Sequence, residues 1–118
     1  MAFNLYTGLL AFVENGTAID SVDAIGGAAN SSLLLQIFAD VWGVPVARRN
    51  LVDEATALGA AVVGGVGVGI FDSFDIAGRL SQRGIPQTPN PSRQDHYRRA
   101  YPLFLEAYSR LEPWFDKL

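Results

Sequence analysis

Val22-Asp23-Ala24-Ile25-Gly26-Gly27-Ala28-Ala29-Asn30-Ser31-Ser32 is the stretch on which the reading of this chain turns. A short strand-like run passes into paired glycines and small polar residues, and an apolar helical pattern begins near Leu33. Glycine lets the backbone approach a ligand closely, while a helix start offers unpaired N–H groups and the positive end of its dipole. That combination suits an anionic ligand, most often a nucleotide phosphate. The same residues also make an ordinary strand-to-helix turn, so the stretch by itself leaves both readings open.

Outward from it, residues 19–25 carry a first strand with Val22 and Ala24 on one face. Residues 31–42 form a helix whose buried stripe is expected to be Leu33, Leu34, Ile37, Phe38, Val41 and Trp42. Gly43 suits the position after the helix, and Pro45 prevents continuation. Residues 44–47 read as a second strand ending in Arg48-Arg49. Strand, helix, strand in that order predicts two parallel strands joined right-handedly. The fold class is therefore α/β, with several helices around two short parallel strands.

Residues 1–14 read as a helix with Ala2, Leu5, Leu9, Phe12 and Val13 on its apolar face, stopped by Asn15-Gly16. No N-cap precedes Met1, so the chain is expected to begin partway along that helix. Asp53 or Glu54 starts a small-sided third helix reaching Gly65, in which Gly59 is expected to serve packing. Residues 66–71 form a glycine-rich turn, and Asp72-Ser73 cap a short helix to about Gln82. Residues 83–93 are a loop, and residues 94–118 a final helix. Tyr97, Tyr101, Phe104, Tyr108, Leu111, Phe115 and Leu118 recur on it as a packing stripe, Pro102 and Pro113 are expected to kink it, and Arg93, Arg98 and Arg99 lie on a solvated face. Two strands leave both sheet edges unpaired, so the chain is expected to be the end of a larger assembly.

At 118 residues and 49% hydrophobic content, the chain fits one domain or a piece of one. No apolar run approaches the roughly 18 residues that span a bilayer, and no secretory leader is readable, so no membrane contact is expected. The absence of cysteine excludes disulfides and thiolate metal sites and fits a cytoplasmic protein. A net charge of −3 gives no expectation of nucleic-acid binding. His96 is the one histidine, which leaves no triad and no histidine metal site.

The phosphate-loop motif is missing, and the glycines at 64, 65, 67 and 69 fail the dinucleotide register. A dinucleotide reading at Gly26-x-Ala28-x-x-Ser31 retains one of three glycines, with Arg48 and Arg49 where a 2′-phosphate would sit. Two surface arginines are the preferred explanation of that pair. Asp20, Asp23, Asp40, Asp53 and Glu54 form no recognisable catalytic constellation, so no catalytic residue and no metal ligand is assigned.

Residues 25–46, from Ile25-Gly26-Gly27 to Gly43-Val44-Pro45-Val46, closely resemble the adenosine-binding motif of the FGGY carbohydrate kinases. The block Glu54-Ala55-Thr56-Ala57-Leu58-Gly59-Ala60-Ala61, with Gly67-Val68-Gly69 behind it, follows at the family's spacing. Ala2-Phe3-Asn4-Leu5 with Gly8-Leu9 resembles the helix before the motif strand. Tyr97, Tyr101-Pro102 and Pro113-Trp114-Phe115 resemble a xylulokinase tail.

The resemblance implies the end portion of the second actin-like, ribonuclease-H-like ATPase domain. It covers nearly all of this chain and about the last quarter of a typical member. It also implies that Gly26, Gly27 and Ala28 lie along the ribose and α-phosphate, and that Ser31 contacts adenine with Asn30 beside it. Ala28 stands where the family often has a third glycine, and Asn30 where a basic or small residue is frequent. ATP with Mg²⁺ is the implied cofactor, and a xylulose-like sugar is the implied phosphoryl acceptor. The catalytic aspartate, the phosphate motifs, the sugar contacts and most of the metal's ligands are implied to lie upstream of Met1, leaving the chain inert alone. Homo-oligomerisation, or association with an N-terminal portion, is the expected partnership. A non-catalytic interaction domain and an NADP-binding oxidoreductase fragment are the alternatives.

Overall fold

The computed structural model describes residues 1–51, 54–115 and 117. Along the chain it places α1 (Ala2–Glu14), β1 (Val22–Ala24), a 3₁₀ turn (Gly27–Asn30), α2 (Ser32–Trp42), β2 (Val46–Arg48), α3 (Ala55–Gly67), α4 (Ile76–Leu80) and α5 (Pro91–Phe115). β1 and β2 pair in parallel, with Val22 opposite Val46, Asp23 opposite Ala47 and Ala24 opposite Arg48. The expected α/β unit is thus formed, with α2 as its crossover.

α2 starts because Ser31 is extended and its Oγ accepts from the Leu34 N–H at 3.2 Å, which satisfies one of the orphan donors of the first turn. It stops at Gly43, whose left-handed φ of 74° lets its N–H reach Ala39 O at 2.9 Å. The expected face is rotated. Leu33 is 70% exposed, whereas Leu35, Phe38, Ala39, Asp40 and Val41 are buried. Ala29, Leu35, Phe38, Ala39 and Val46 form the core, with Val22, Ala24 and Trp42 packed against it. Phe38 and Trp42 stack at 4.6 Å, and Trp42 Nε1 donates to Ala2 O, tying α1 to α2.

α1 also turns a different face inward from the expected one. Leu5, Phe12 and Val13 are exposed, while Phe3 and Tyr6 meet α5. Phe3 lies 5.5–6.1 Å from Tyr97, Tyr101 and Phe104, and Tyr6 lies 4.9 Å from Tyr101. Each such aromatic pair adds about 0.5–1.5 kcal/mol beyond area burial, so the larger rings override the aliphatic periodicity.

Further expectations are corrected. Residues 83–93 are not simply a loop, because Gln87 and Val46 exchange backbone bonds at 2.8 and 3.0 Å and the Gly84 N–H donates to Arg48 O at 2.9 Å. The outer edge of β2 is therefore covered rather than unpaired. The last helix begins at Pro91, earlier than residue 94, since Asn90 Oδ1 accepts from the Arg93 N–H and proline is suited to a first helical position. It ends at Phe115 and runs continuously through Pro102 and Pro113. Gly59 packs against nothing, as an added Cβ there would meet no atom, whereas one at Gly65 would run into the Phe71 ring. α3 continues to Gly67, and Glu54 precedes it without a side-chain cap. The alternative start at Asp53, and the stripe's last member Leu118, lie outside the described residues. Of the aromatic stripe only Tyr97, Tyr101 and Phe104 are covered; Tyr108, Leu111 and Phe115 are half or more exposed.

Candidate functional site

The glycine pair sits where the C-terminal end of β1 meets α2. Gly26 has φ 79° and ψ 176°, a backbone conformation reserved for glycine. It caps a single 3₁₀ turn whose first closing bond is Ala29 N–H to Gly26 O at 2.9 Å. The Gly27 and Ala28 N–H groups precede that bond, so the turn itself gives them no acceptor. A Cβ on Gly27 would meet no atom within 4 Å, so the space over the turn is open. Ala29, by contrast, is buried and pins the turn to the core.

Gly26, Gly27, Ala28, Asn30 and Ser31 are thereby gathered in one turn, but not as a direct helix start. The 3₁₀ segment intervenes, and α2 begins only after Ser31, whose oxygen is engaged by its own helix. The Ser31 hydroxyl keeps its proton to donate. Asn30 is exposed and lines a cavity of about 410 Å³ with Arg48, Asn50, Gln82, Arg83 and Gln87. An apolar cavity of about 310 Å³ lies on another side of the same junction, between Ile25, Leu58, Val62, Val63 and Phe74. Sequence reasoning noticed Arg48 for a different role. It missed the other wall residues, because strand periodicity does not show that 82–87 folds back on β2.

The carboxylates near the turn are engaged. Asp23 receives Arg49 on Oδ2 at 2.6 Å and Arg83 on Oδ1 at 2.7 Å, and Arg49 Nη1 also donates to Ser81 O. Arg49 is therefore a structural cation and no 2′-phosphate ligand. Asp40 is no ordinary helix-face residue, and Arg93 no purely solvated one: Asp40 is buried and accepts from the Asn90 N–H at 2.7 Å, Gln36 Nε2 at 2.9 Å and Arg93 Nε at 2.6 Å. Burial pushes its carboxyl up, but the Asn90 N–H, Arg93 and Gln36 together outweigh burial and hold it below the usual carboxylate range. Among the described residues no group of three or more His, Asp or Glu side chains is arranged to hold a metal ion.

The profile of the FGGY family of carbohydrate kinases, C-terminal domain, matches residues 1–68. The chain belongs to the FGGY family of carbohydrate kinases. It is 42% identical over 101 residues to a glycerol kinase of Citrifermentans bemidjiense, covering 83% of this chain and 20% of that one. It is also 42% identical over 96 residues to an autoinducer-2 kinase of Yersinia pestis, covering 80% and 18%. Among solved structures, the xylulose kinase of Lactobacillus acidophilus superposes with a TM-score of 0.84 at 24% identity, over 98% of this chain and 24% of that one. The xylulose kinase of Rhodospirillum rubrum does so with a TM-score of 0.77 at 29% identity, over 98% and 23%. The chain spans about a fifth of the length of the curated relatives it matches. Its architecture is the end portion of the actin-like, ribonuclease-H-like fold of FGGY kinases, and the oxidoreductase alternative falls with that membership.

Proposed function

We propose that this chain is the adenosine-binding wall of an ATP-dependent carbohydrate kinase that passes the γ-phosphate to a hydroxyl of a xylulose-like sugar. The observation that carries the reading is the turn at Gly26-Gly27, held in a glycine-only conformation at Gly26 and open above Gly27, in which the Gly27 and Ala28 N–H groups have no acceptor within the turn. ATP lies with its ribose and α-phosphate along Gly26, Gly27 and Ala28, and its adenine edge meets Ser31 and Asn30. A side chain at position 27 would occupy the phosphate path. The sugar assignment rests on the superposition with xylulose kinases, which includes α5. The 42% identity to glycerol kinases makes glycerol the competing acceptor.

Phosphoryl transfer requires a base near the acceptor hydroxyl, in-line geometry and Mg²⁺ against the phosphates. Asp23 and Asp40 are committed to arginines and backbone and supply no free base, which supports the reading that the chain binds nucleotide without turning it over. Mg²⁺ would be carried by the phosphates and by groups beyond this chain. The exposed Tyr108, Leu111 and Phe115 of α5 favour association with the remainder of such a kinase, or with a second copy. A cytoplasmic location follows from the use of ATP and a free sugar.

The test is a titration of the chain with ATP and AMP, read by amide chemical shifts. Saturable shifts centred on residues 26–31, abolished by Gly27→Val with the fold retained, are expected. Shifts that persist unchanged in Gly27→Val, or NADPH binding that ATP does not displace, would overturn the reading. Formation of ADP at enzyme-like rates from sugar, ATP and Mg²⁺ would refute the inert part of it.

A further inference from the structure

The cavity of about 410 Å³ between the 3₁₀ turn, the end of β2 and residues 82–87 has a chemistry unlike that of the glycine turn. Its polar lining includes Ser32 beside Asn30, Arg48, Asn50, Gln82, Arg83 and Gln87, and none of the described residues lining it is acidic. In a chain of net charge −3, a concave surface whose described lining holds two guanidinium groups, one of them paired with Asp23, and no acidic side chain is a local reversal of sign.

The walls are built rather than incidental. Gln87 and Val46 exchange backbone bonds, Gly84 N–H donates to Arg48 O, and Asn50 and Gln82 are joined twice: Asn50 N–H to Gln82 O at 3.0 Å, and Gln82 N–H to Asn50 Oδ1 at 2.6 Å. Arg83 is held by Asp23. Arg48 has no carboxylate partner among the described residues, although its neighbour Arg49 is fully engaged. Leu35 and Ala29 add an apolar floor from the core side.

We infer that this cavity is a second ligand site, adjoining the glycine turn and sharing Asn30 with it, that binds a phosphorylated polyhydroxy compound of pentose-phosphate size. A guanidinium pairs with phosphoryl oxygens through two parallel N–H bonds. The amides of Asn30, Gln82 and Gln87 each offer both donor and acceptor, which is what vicinal hydroxyls need. The volume falls within the usual range for clefts that hold small ligands.

The experiment uses the full chain and three probes: ribose 5-phosphate, ribose and inorganic phosphate, each titrated with amide-shift detection. Ribose 5-phosphate is expected to bind more tightly than either half alone, with shifts at residues 48–50 and 82–87. Arg48→Gln keeps the side-chain stem that packs beside Gly84 and is expected to weaken that binding about tenfold, with partial recovery in Arg48→Lys. Gln82→Ala, whose backbone bonds remain, is expected to weaken it by a smaller factor and gives an independent reading should Arg48→Gln unfold. Equal affinity for ribose 5-phosphate and phosphate, affinity unmoved by Arg48→Gln or Gln82→Ala, or absence of binding would each overturn the inference. Displacement of ribose 5-phosphate by ATP would make the cavity part of the nucleotide shelf, and so overturn the second site while sustaining the nucleotide reading. ATP binding that fails while ribose 5-phosphate binds would do the reverse.

Discussion

Asp40→Asn should be among the most damaging single-atom changes available in this domain. The carboxylate is buried on α2 and gathers Gln36, the Asn90 N–H and Arg93, which come from α2 itself, the segment before α5, and α5. An asparagine can keep its oxygen toward the Asn90 N–H, but its amide nitrogen then faces Arg93 donor to donor. A hydrogen bond to a charged group contributes about 1.5–3 kcal/mol, and a partner left unpaired in a buried place costs about 1–3 kcal/mol. Arg93 is 52% exposed and can turn to water, so the loss falls at the lower end of their sum, about 2–3 kcal/mol. For a domain of this size each kcal/mol moves the melting temperature by roughly 4 °C, giving a fall of about 8–12 °C. Urea unfolding followed by circular dichroism measures it directly. A loss below about 0.5 kcal/mol would refute the view that this carboxylate fastens α5 to α2. The pH dependence has a fixed sign. Because the folded-state pKa is lowered, the contribution is complete above the ordinary carboxylate range and is lost as pH falls through and below it. The wild type should therefore lose stability more steeply than Asp40→Asn on acidification.

Other substitutions check the remaining links. Gly26→Ala places a Cβ in a glycine-only conformation and should cost about 1–3 kcal/mol in thermal unfolding, even though open space surrounds it. Gly27→Val, whose Cβ meets no atom within 4 Å, should leave the melting temperature within a few degrees of wild type while reducing AMP affinity at least about tenfold by calorimetry. Gly65→Ala must displace the Phe71 ring and should destabilise by about 1–3 kcal/mol, whereas Gly59→Ala on the same helix should stabilise by up to about 1 kcal/mol; identical effects on urea midpoints would contradict the packing described.

What the residue pattern made legible was whatever is decided locally. A helix beginning near residue 31, Gly43 as its stop and the parallel pairing of the two strands all follow from neighbours within a turn or from the order of elements. The Val22–Val46 register, and Ser31 as the cap rather than a first-turn residue, do not. The expectations that failed depended on distant partners. Leu33 and Leu35 are equally apolar, and only the placement of β2 beneath the helix decides which is buried. Asp40 looks like a solvent-facing acid until Arg93, far along the chain, folds onto it. Gly59 and Gly65 are equivalent in composition, but Phe71 returns only to the second. At the candidate site the glycine pair was legible, while the intervening 3₁₀ turn was not, because Gly27-Ala28-Ala29-Asn30 carries no signal separating it from a first helical turn.

The packing of Phe3, Tyr6 and Thr7 on Tyr97, Tyr101 and Phe104 also fixes an order of events during synthesis. Thr7 and Tyr101, whose hydroxyls share a 3.1 Å hydrogen bond, are 94 positions apart. At roughly 5–20 residues per second, α1 must wait about 5–20 seconds after its own translation before its aromatic partners exist. For that interval Phe3 and Tyr6 face water or whatever escorts the growing chain. Among the described helices, α1 is thus made before the others and secured among the last.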